Sequence, residues 1–474
     1  MPTSVHAWAQ SDHYALALGF LDNGFDFFHP QTYALSHQFP PAKDLKVAAG
    51  ITAVDFPVLH YVVAVFMKVT GDTSPWIFRL ISLMVSFISL LFVFRVINKV
   101  KGFWLALIAV GFVMFQPIYV YYQNGFHVSS AAFNVQLVGI ACMLNYRHFK
   151  VQKAFYWGIV FLTLAALMRF TQIITLIAIF WAVLVQAYQE RKFDKRLFLI
   201  GCGLLLVGAY FVYNKYLSYL YGSVFLGSPL PADSISDLLV QLFRIGKSYL
   251  RGFLPFMHLL GFIIVISLYL KQKGRDIKVD EWNLWLLFSF LGTTMFTLIM
   301  SWSLSAHDYY SLDTWLAPLV LAFIYCLCSL NLEEYKTGIV GVVAGLFLVG
   351  TFSVALEHQV RKYDDKVEIR GADLTIKNFT ESATFLNSLI PNDAKVLIIT
   401  GTGWNTPMMG WQRPAYRIAW KFEEQIPDYL GQDFDFIVTQ NQYFEGEVID
   451  SYPSFNSHVE LLDTNEKVSV WTKK

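Results

Sequence analysis

The sequence predicts a mainly α-helical, polytopic membrane protein with about ten transmembrane helices, an acid-bearing loop ahead of them and a small C-terminal α/β domain. Three observations predict it. Of 474 residues, 55% are hydrophobic and only 15% charged, a balance too apolar for a soluble enzyme. Between residues 76 and 357 apolar runs follow one another with short connections, and Lys and Arg crowd every second connection. From residue 358 to 474 the chain turns charged, with a helical pattern followed by strand-like alternation.

Residues 1–75 contain no run of roughly twenty apolar residues and no basic start followed by an apolar core, so this stretch is read as an outer first loop with interfacial helices. Within it, Trp8 to Pro30 reads WAQSDHYALALGFLDNGFDFFHP. Ser11 is placed to cap a short helix with Asp12 in its first turn, and Asn23-Gly24 to end it. There the helix dipole favours an ionised carboxylate, which makes Asp12 a candidate base, although capping alone also accounts for an Asp in that position. His13 beside it and Asp55 in VDFP are the reserve candidates. Phe56 to Gly71 is too short, and too interrupted by His60 and Lys68, to span, and is read as a helix lying at the interface.

Spans are read at 76–94, 103–121, 127–146, 154–169, 171–188, 197–216, 252–270, 283–301, 310–331 and 337–356. The basic connections hold Arg95, Lys99 and Lys101; Arg147, Lys150 and Lys153; Arg191, Lys192, Lys195 and Arg196; Lys271, Lys273, Arg275 and Lys278; and Lys336. By the positive-inside rule these face the cytoplasm, which puts the first loop, the connections at 122–126 and 302–309, and the tail on the outer side.

The outer side gathers the unusual polar residues. Arg244, Lys247 and Arg251 share one helical face and could hold a phosphate, or equally snorkel toward headgroups. Arg169, in LMRFTQ between two closely spaced spans, needs an anion or water at that depth. The run SAHDYY places His307, Asp308, Tyr309 and Tyr310 together; tyrosines at a membrane boundary are often anchors, but this group can also hydrogen-bond a phosphate or sugar. Histidines cluster early (His6, His13, His29, His37, His60) without an i, i+4 pair, so no metal ligand set is indicated, and a divalent ion stays open. The sequence has no glycine-rich nucleotide loop, its net charge of +1 argues against nucleic acid, and its four cysteines sit in apolar segments. In the tail, a helix is expected near Ile376 to Leu389, with strands at KVLIIT, FDFIVTQ, HVELL and KVSVW.

Asp12-His13 with Tyr14, Ala17, Gly24 and Pro30, then DFPVLHY, then Gly71 and PWIFRLIS, and HDYY late in the chain, resemble the C-type glycosyltransferase superfamily. The similarity is to its polyprenyl-phosphate-sugar branch of protein mannosyltransferases and aminoarabinose transferases, over roughly residues 8–330. The resemblance implies a multi-span enzyme that moves a sugar from a polyprenyl-phosphate donor to a hydroxyl of a glycan, lipid or protein acceptor. It implies Asp12 as base, a single inverting displacement, and a multi-pass protein of a bacterial inner membrane working on its periplasmic face. Arg169, Arg244, Lys247, Arg251, His307, Tyr309 and Tyr310 are then the expected partners of donor phosphate and sugar. Two positions depart from the pattern: His13 stands where many relatives carry a second acid, and Phe56 where aminoarabinose transferases carry Lys. Relatives also have a membrane helix ahead of this loop, so an apolar span is expected upstream of Met1. Two other classes fit a polytopic chain. A secondary transporter would show repeats and broken helices near the midplane, and a non-catalytic assembly protein would not need an acid-bearing first loop.

Overall fold

The computed structural model describes residues 1–2, 6–35, 50–225, 230–274, 280–331, 337–363, 369–419, 426–450 and 452–474. His37, Arg275, Lys278 and Lys336 lie outside the described residues.

Among the described residues seven helices are long and apolar enough to cross a membrane: Pro75–Lys101, Val128–Phe149, Phe170–Glu190, Arg196–Tyr221, Phe256–Lys273, Glu281–Ile299 and Gly338–Lys362. Each coincides with a run read from the sequence, and the protein is an integral membrane protein. The remaining three predicted spans come out differently. Residues 103–121 form not one helix but two, Phe103–Met114 and Pro117–Gln123, bent by 71°. Pro117 has no N–H to continue the first helix and holds Gln116 in extended backbone, while the Gln116 side chain accepts from the Tyr119 N–H and caps the second. Gln152–Met168 is short because Arg169, at φ −148° and ψ 107°, leaves helical backbone. Leu316–Ser329 is short because the chain before it is spent on two small helices, Ser301–Ala306 and Tyr310–Asp313. All but its last residue are buried, so this helix is apolar on every side and belongs to a core. The long helices instead carry large exposed apolar side chains such as Phe87 (68% exposed), Leu205 (74%) and Leu346 (70%), which only lipid can cover without penalty.

The chain divides into two compact units. One comprises Met1–Phe78, Tyr213–Gly227 and Tyr363–Lys474; the other Arg79–Val212 and Ser228–Lys362. In the first unit the leading helix is Ala7–Asp22, buried on almost every side from Ala7 to Phe20. Its N-cap is His6 at φ 55°, and the Ser11 hydroxyl donates back to the Ala7 carbonyl at 2.8 Å. Ser11 is therefore inside the helix and not its cap, and Asp12 falls in the second turn, where the dipole does little. Asn23 does end the helix, followed by Gly24 at φ +69°. The interfacial helix is Val58–Thr70, closed by Gly71 in the left-handed conformation.

The tail helix is Gly371–Leu389, and five strands form one mixed sheet: β1 Val396–Thr400, β2 Tyr416–Ala419, β3 Phe436–Gln440, β4 Val459–Thr464 and β5 Val468–Lys473, in the order β2-β1-β3-β5-β4. The first three strands run parallel, and β5 is antiparallel to both its neighbours. Apolar residues at alternate positions of β1 and β3, Leu397, Ile399 and Ile437, pack with Ile418, Phe455 and Trp471 into the core of this sheet. Four strands and the helix match the sequence pattern. The edge strand β2 has only four residues and one of them is Arg417, too little signal for a strand. Segment 31–35 of the first loop joins this part of the chain directly: Leu35 N–H donates to the Ala415 carbonyl at 2.9 Å and Ala415 N–H to the Tyr33 carbonyl at 3.0 Å.

Candidate active site and anion cavity

In the first unit Asp12 is 1% exposed. Its Oδ1 accepts two hydrogen bonds from one residue, from the Asn405 N–H at 3.1 Å and from Asn405 Nδ2 at 2.8 Å. Among the described residues Oδ2 accepts none, so one oxygen is clamped and the other is left to take a proton. Burial raises the Asp12 carboxyl to a pKa of about 7, against the opposing pull of Asn405 and of the Arg417 charge. Such a carboxyl exchanges protons near neutrality, as a general base must. Arg417 is itself buried, and burial lowers its pKa to about 10 while Asp12 pulls it up.

His13 is turned away from Asp12 and bonded to another histidine, Nδ1 to His60 Nε2 at 2.9 Å, with the rings stacked 5.1 Å apart. Burial takes His60 down to a pKa of about 3, so the pair carries no charge on that ring. Asp55 is half-buried in the bend before Val58–Thr70.

In the second unit the helix Ile235–Ser248 continues into a π-turn, Tyr249–Phe253, and brings Arg244, Lys247 and Arg251 to one cavity of about 400 Å³. Asp308, His358 and Lys362 also line it. The helix has Ser234 as its N-cap, accepting from the Asp237 N–H at 3.1 Å. Asp308 is already engaged: Lys362 Nζ donates to it at 2.9 Å, and so does the Tyr122 hydroxyl. Four cations therefore face one carboxylate, and the cavity has positive charge to spare for an anion.

The HDYY run divides. Asp308 faces that cavity, while Tyr309 is buried against His127, with ring centroids 4.2 Å apart, and His307 stacks on Tyr309 at 5.5 Å. Arg169 has an anion of its own within the fold. Its Nε donates to Asp313 Oδ2 at 2.7 Å, its guanidinium lies 5.4 Å from the Tyr310 ring centre, and the Asp313 side chain is wholly buried. The sequence supplies the need for an anion at Arg169; the partner, 144 residues away, is visible only in the fold.

The family described as dolichyl-phosphate-mannose-protein mannosyltransferase matches residues 54–213. A structure of ArnT from Cupriavidus metallidurans bound to undecaprenyl phosphate superposes with a TM-score of 0.59 at 11% identity, covering 98% of this chain and 93% of that one. The chain shares the fold of that enzyme. The archaeal oligosaccharyltransferase AglB from Archaeoglobus fulgidus, in complex with an inhibitory peptide and a dolichol-phosphate, matches with a TM-score of 0.51 at 12% identity over 95% of this chain and 69% of that one. No curated protein matches the sequence. The family match covers about a third of the chain, and the likeness to the solved structures, at 11–12% identity, is one of fold.

Among the described residues no three His, Cys, Asp or Glu side chains come close enough to hold a metal ion. The residues that sequence reasoning misses are Asn405 and Arg417 beside Asp12, and Lys362 in the cavity. Asn405 lies in GTGWNTP, which looks like any turn, and Lys362 ends an apolar helix, where a lysine is ordinary.

Proposed function

We propose that the protein transfers a sugar from a polyprenyl-phosphate donor to a hydroxyl of a glycan, lipid or protein, in one inverting displacement on the outer face of a bacterial inner membrane. Asp12 takes the acceptor's proton, and the cavity of Arg244, Lys247, Arg251 and Lys362 holds the donor phosphate. The single observation that carries this is the cavity: an opening with excess positive charge, built by a helix that projects three cations one turn apart. A sugar phosphate leaves readily once its charge is neutralised, so cations and one base suffice for the displacement. ArnT and AglB, which share the fold, were both solved with a polyprenyl phosphate bound. An outer-face enzyme meets no cytoplasmic nucleotide sugar, and a donor that diffuses within the bilayer needs no nucleotide loop. Arg169 is assigned to holding Tyr310 and Asp313 in place behind this chemistry, with His307 and Tyr309 packed around it.

Binding of a polyprenyl phosphate to the purified protein in nanodiscs tests the cavity. Arg244→Ala, Lys247→Ala and Arg251→Ala should each weaken it by roughly tenfold, the value of one charge-assisted hydrogen bond partly screened by water, and all should lose affinity in high salt. Unchanged affinity in all three would place the phosphate elsewhere.

The outer face is tested by labelling. In a cysteine-free background, Lys150→Cys, Lys195→Cys and Lys273→Cys should resist an impermeant thiol reagent added outside, whereas Gln123→Cys, Ser305→Cys and Asn392→Cys should react. The reverse pattern would move the site to the cytoplasm.

A further inference from the structure

We infer that Asn405 and Arg417, both from the C-terminal α/β domain, are positioning residues for Asp12, so that this domain completes the catalytic site instead of serving as an appended binding module. The inference rests on Asp12 being the base.

The geometry is specific. Asn405 Nδ2 donates to Asp12 Oδ1, and its own Oδ1 accepts from the Ala34 N–H at 2.8 Å, so both ends of the amide are fixed and its orientation is determined by its partners. Its backbone N–H adds the second bond to Asp12. One residue thus ties the carboxylate on the leading helix to the segment at Ala34 and to the turn after β1. That turn comes very close to the helix: a Cβ on Gly403 would stand 2.8 Å from the Cβ of Trp8, so only glycine fits there. Arg417, on β2, braces the same turn. Its Nη1 donates to the Thr402 carbonyl, and its guanidinium lies 4.5 Å from the centre of the Trp404 ring. It is also the cation whose field acts on Asp12.

Other titratable groups on elements packed against the leading helix are engaged elsewhere or face outward. From Val58–Thr70, His60 bonds His13, Tyr61 packs on Phe20 and Phe25, and Lys68 is exposed. From Gly371–Leu389, Glu381 pairs with Lys467, Lys377 is exposed and Asp373 is half-buried. The helix Thr406–Trp411 carries no titratable side chain. On the leading helix itself, Tyr14 donates to the Thr73 carbonyl.

A carboxyl held at about 7 is a working base only above that pH, so transfer should rise with pH through an acid limb near neutrality and then level off. Both tail residues favour the ionised form, and removing either should move the limb upward. Asn405→Ala should shift it by about one to two pH units, which is a roughly 5- to 50-fold loss of rate at pH 7 recovered at high pH. Asn405→Asp is isosteric and keeps the acceptor for Ala34. It places a second acid against Asp12 and should shift the limb further still. Arg417→Met should move it in the same direction, and Arg417→Lys should restore much of the wild-type profile.

The experiment is the pH–rate profile of transfer from a polyprenyl-phosphate sugar by the full-length variants, with Asp12→Asn as control. Upward shifts with the high-pH plateau kept would establish the positioning role. Wild-type limbs in both Asn405 variants, beside an inactive Asp12→Asn, would overturn it while leaving the base in place. Full activity of Asp12→Asn would instead refute the base itself. Reduced yield with an unmoved limb in the folded fraction would make Asn405 purely structural and also overturn the inference.

Discussion

Asp12→Asn should lower turnover by roughly 10²- to 10⁴-fold, the contribution of a general base, while expression and binding of the lipid donor should stay close to wild type. The substitution keeps the size of the side chain and an oxygen to accept from Asn405, but cannot take a proton. Single-turnover transfer with donor in excess is the measurement, because it separates chemistry from product release. The same variant carries a stability signature. The folded protein holds the Asp12 proton up to about pH 7, whereas an ordinary carboxyl releases it near 3.8, so wild-type stability declines as pH rises between those values. Asn does not titrate, and the variant should lack that component of the slope. Undiminished turnover would send the search for a base to Asp55 or Asp308.

The second large effect falls on folding. Arg169→Ala leaves Asp313 wholly buried without its cation, and breaking one side of a buried pair costs up to roughly 3–5 kcal/mol. Thermal unfolding in detergent should show the loss, and Asp313→Ala should show a similar one. From the sequence alone Arg169 is expected to serve the donor more than the fold; its 2.7 Å bond to Asp313 gives it a structural partner. If Arg169→Ala keeps wild-type stability and loses donor affinity, the pair is dispensable and the guanidinium belongs to the donor.

The reasons some features are legible in the sequence, and others not, are physical. Membrane helices announce themselves by length and apolarity, because lipid imposes both, and among the described residues seven long helices stand where the runs predict them. What interrupts such a run is subtler. Pro117 and Arg169 both stand in the sequence, yet whether a proline kinks a helix or ends it depends on the neighbours that re-satisfy the backbone. The common face of Arg244, Lys247 and Arg251 is also legible, since helical spacing alone fixes it, and the three do line one cavity.

The environment of Asp12 is not legible. Its helix starts five residues earlier than a Ser11 cap implies, because a serine inside a helix can bond its own backbone as readily as it can cap one. Asn405 lies 393 residues away, in a turn with no distinctive composition. No local rule connects them, since proximity at that separation is decided by how the tail folds.

The central claim is transfer from a lipid-linked sugar, and the most direct measurement follows both products at once. Purified protein in vesicles is given a polyprenyl-phosphate sugar labelled in the sugar, together with envelope acceptors. Free polyprenyl phosphate should appear in step with labelled acceptor, and neither should form with Asp12→Asn. Labelled sugar or intact donor moving across the bilayer, with no polyprenyl phosphate released, would contradict the claim and make the protein a transporter.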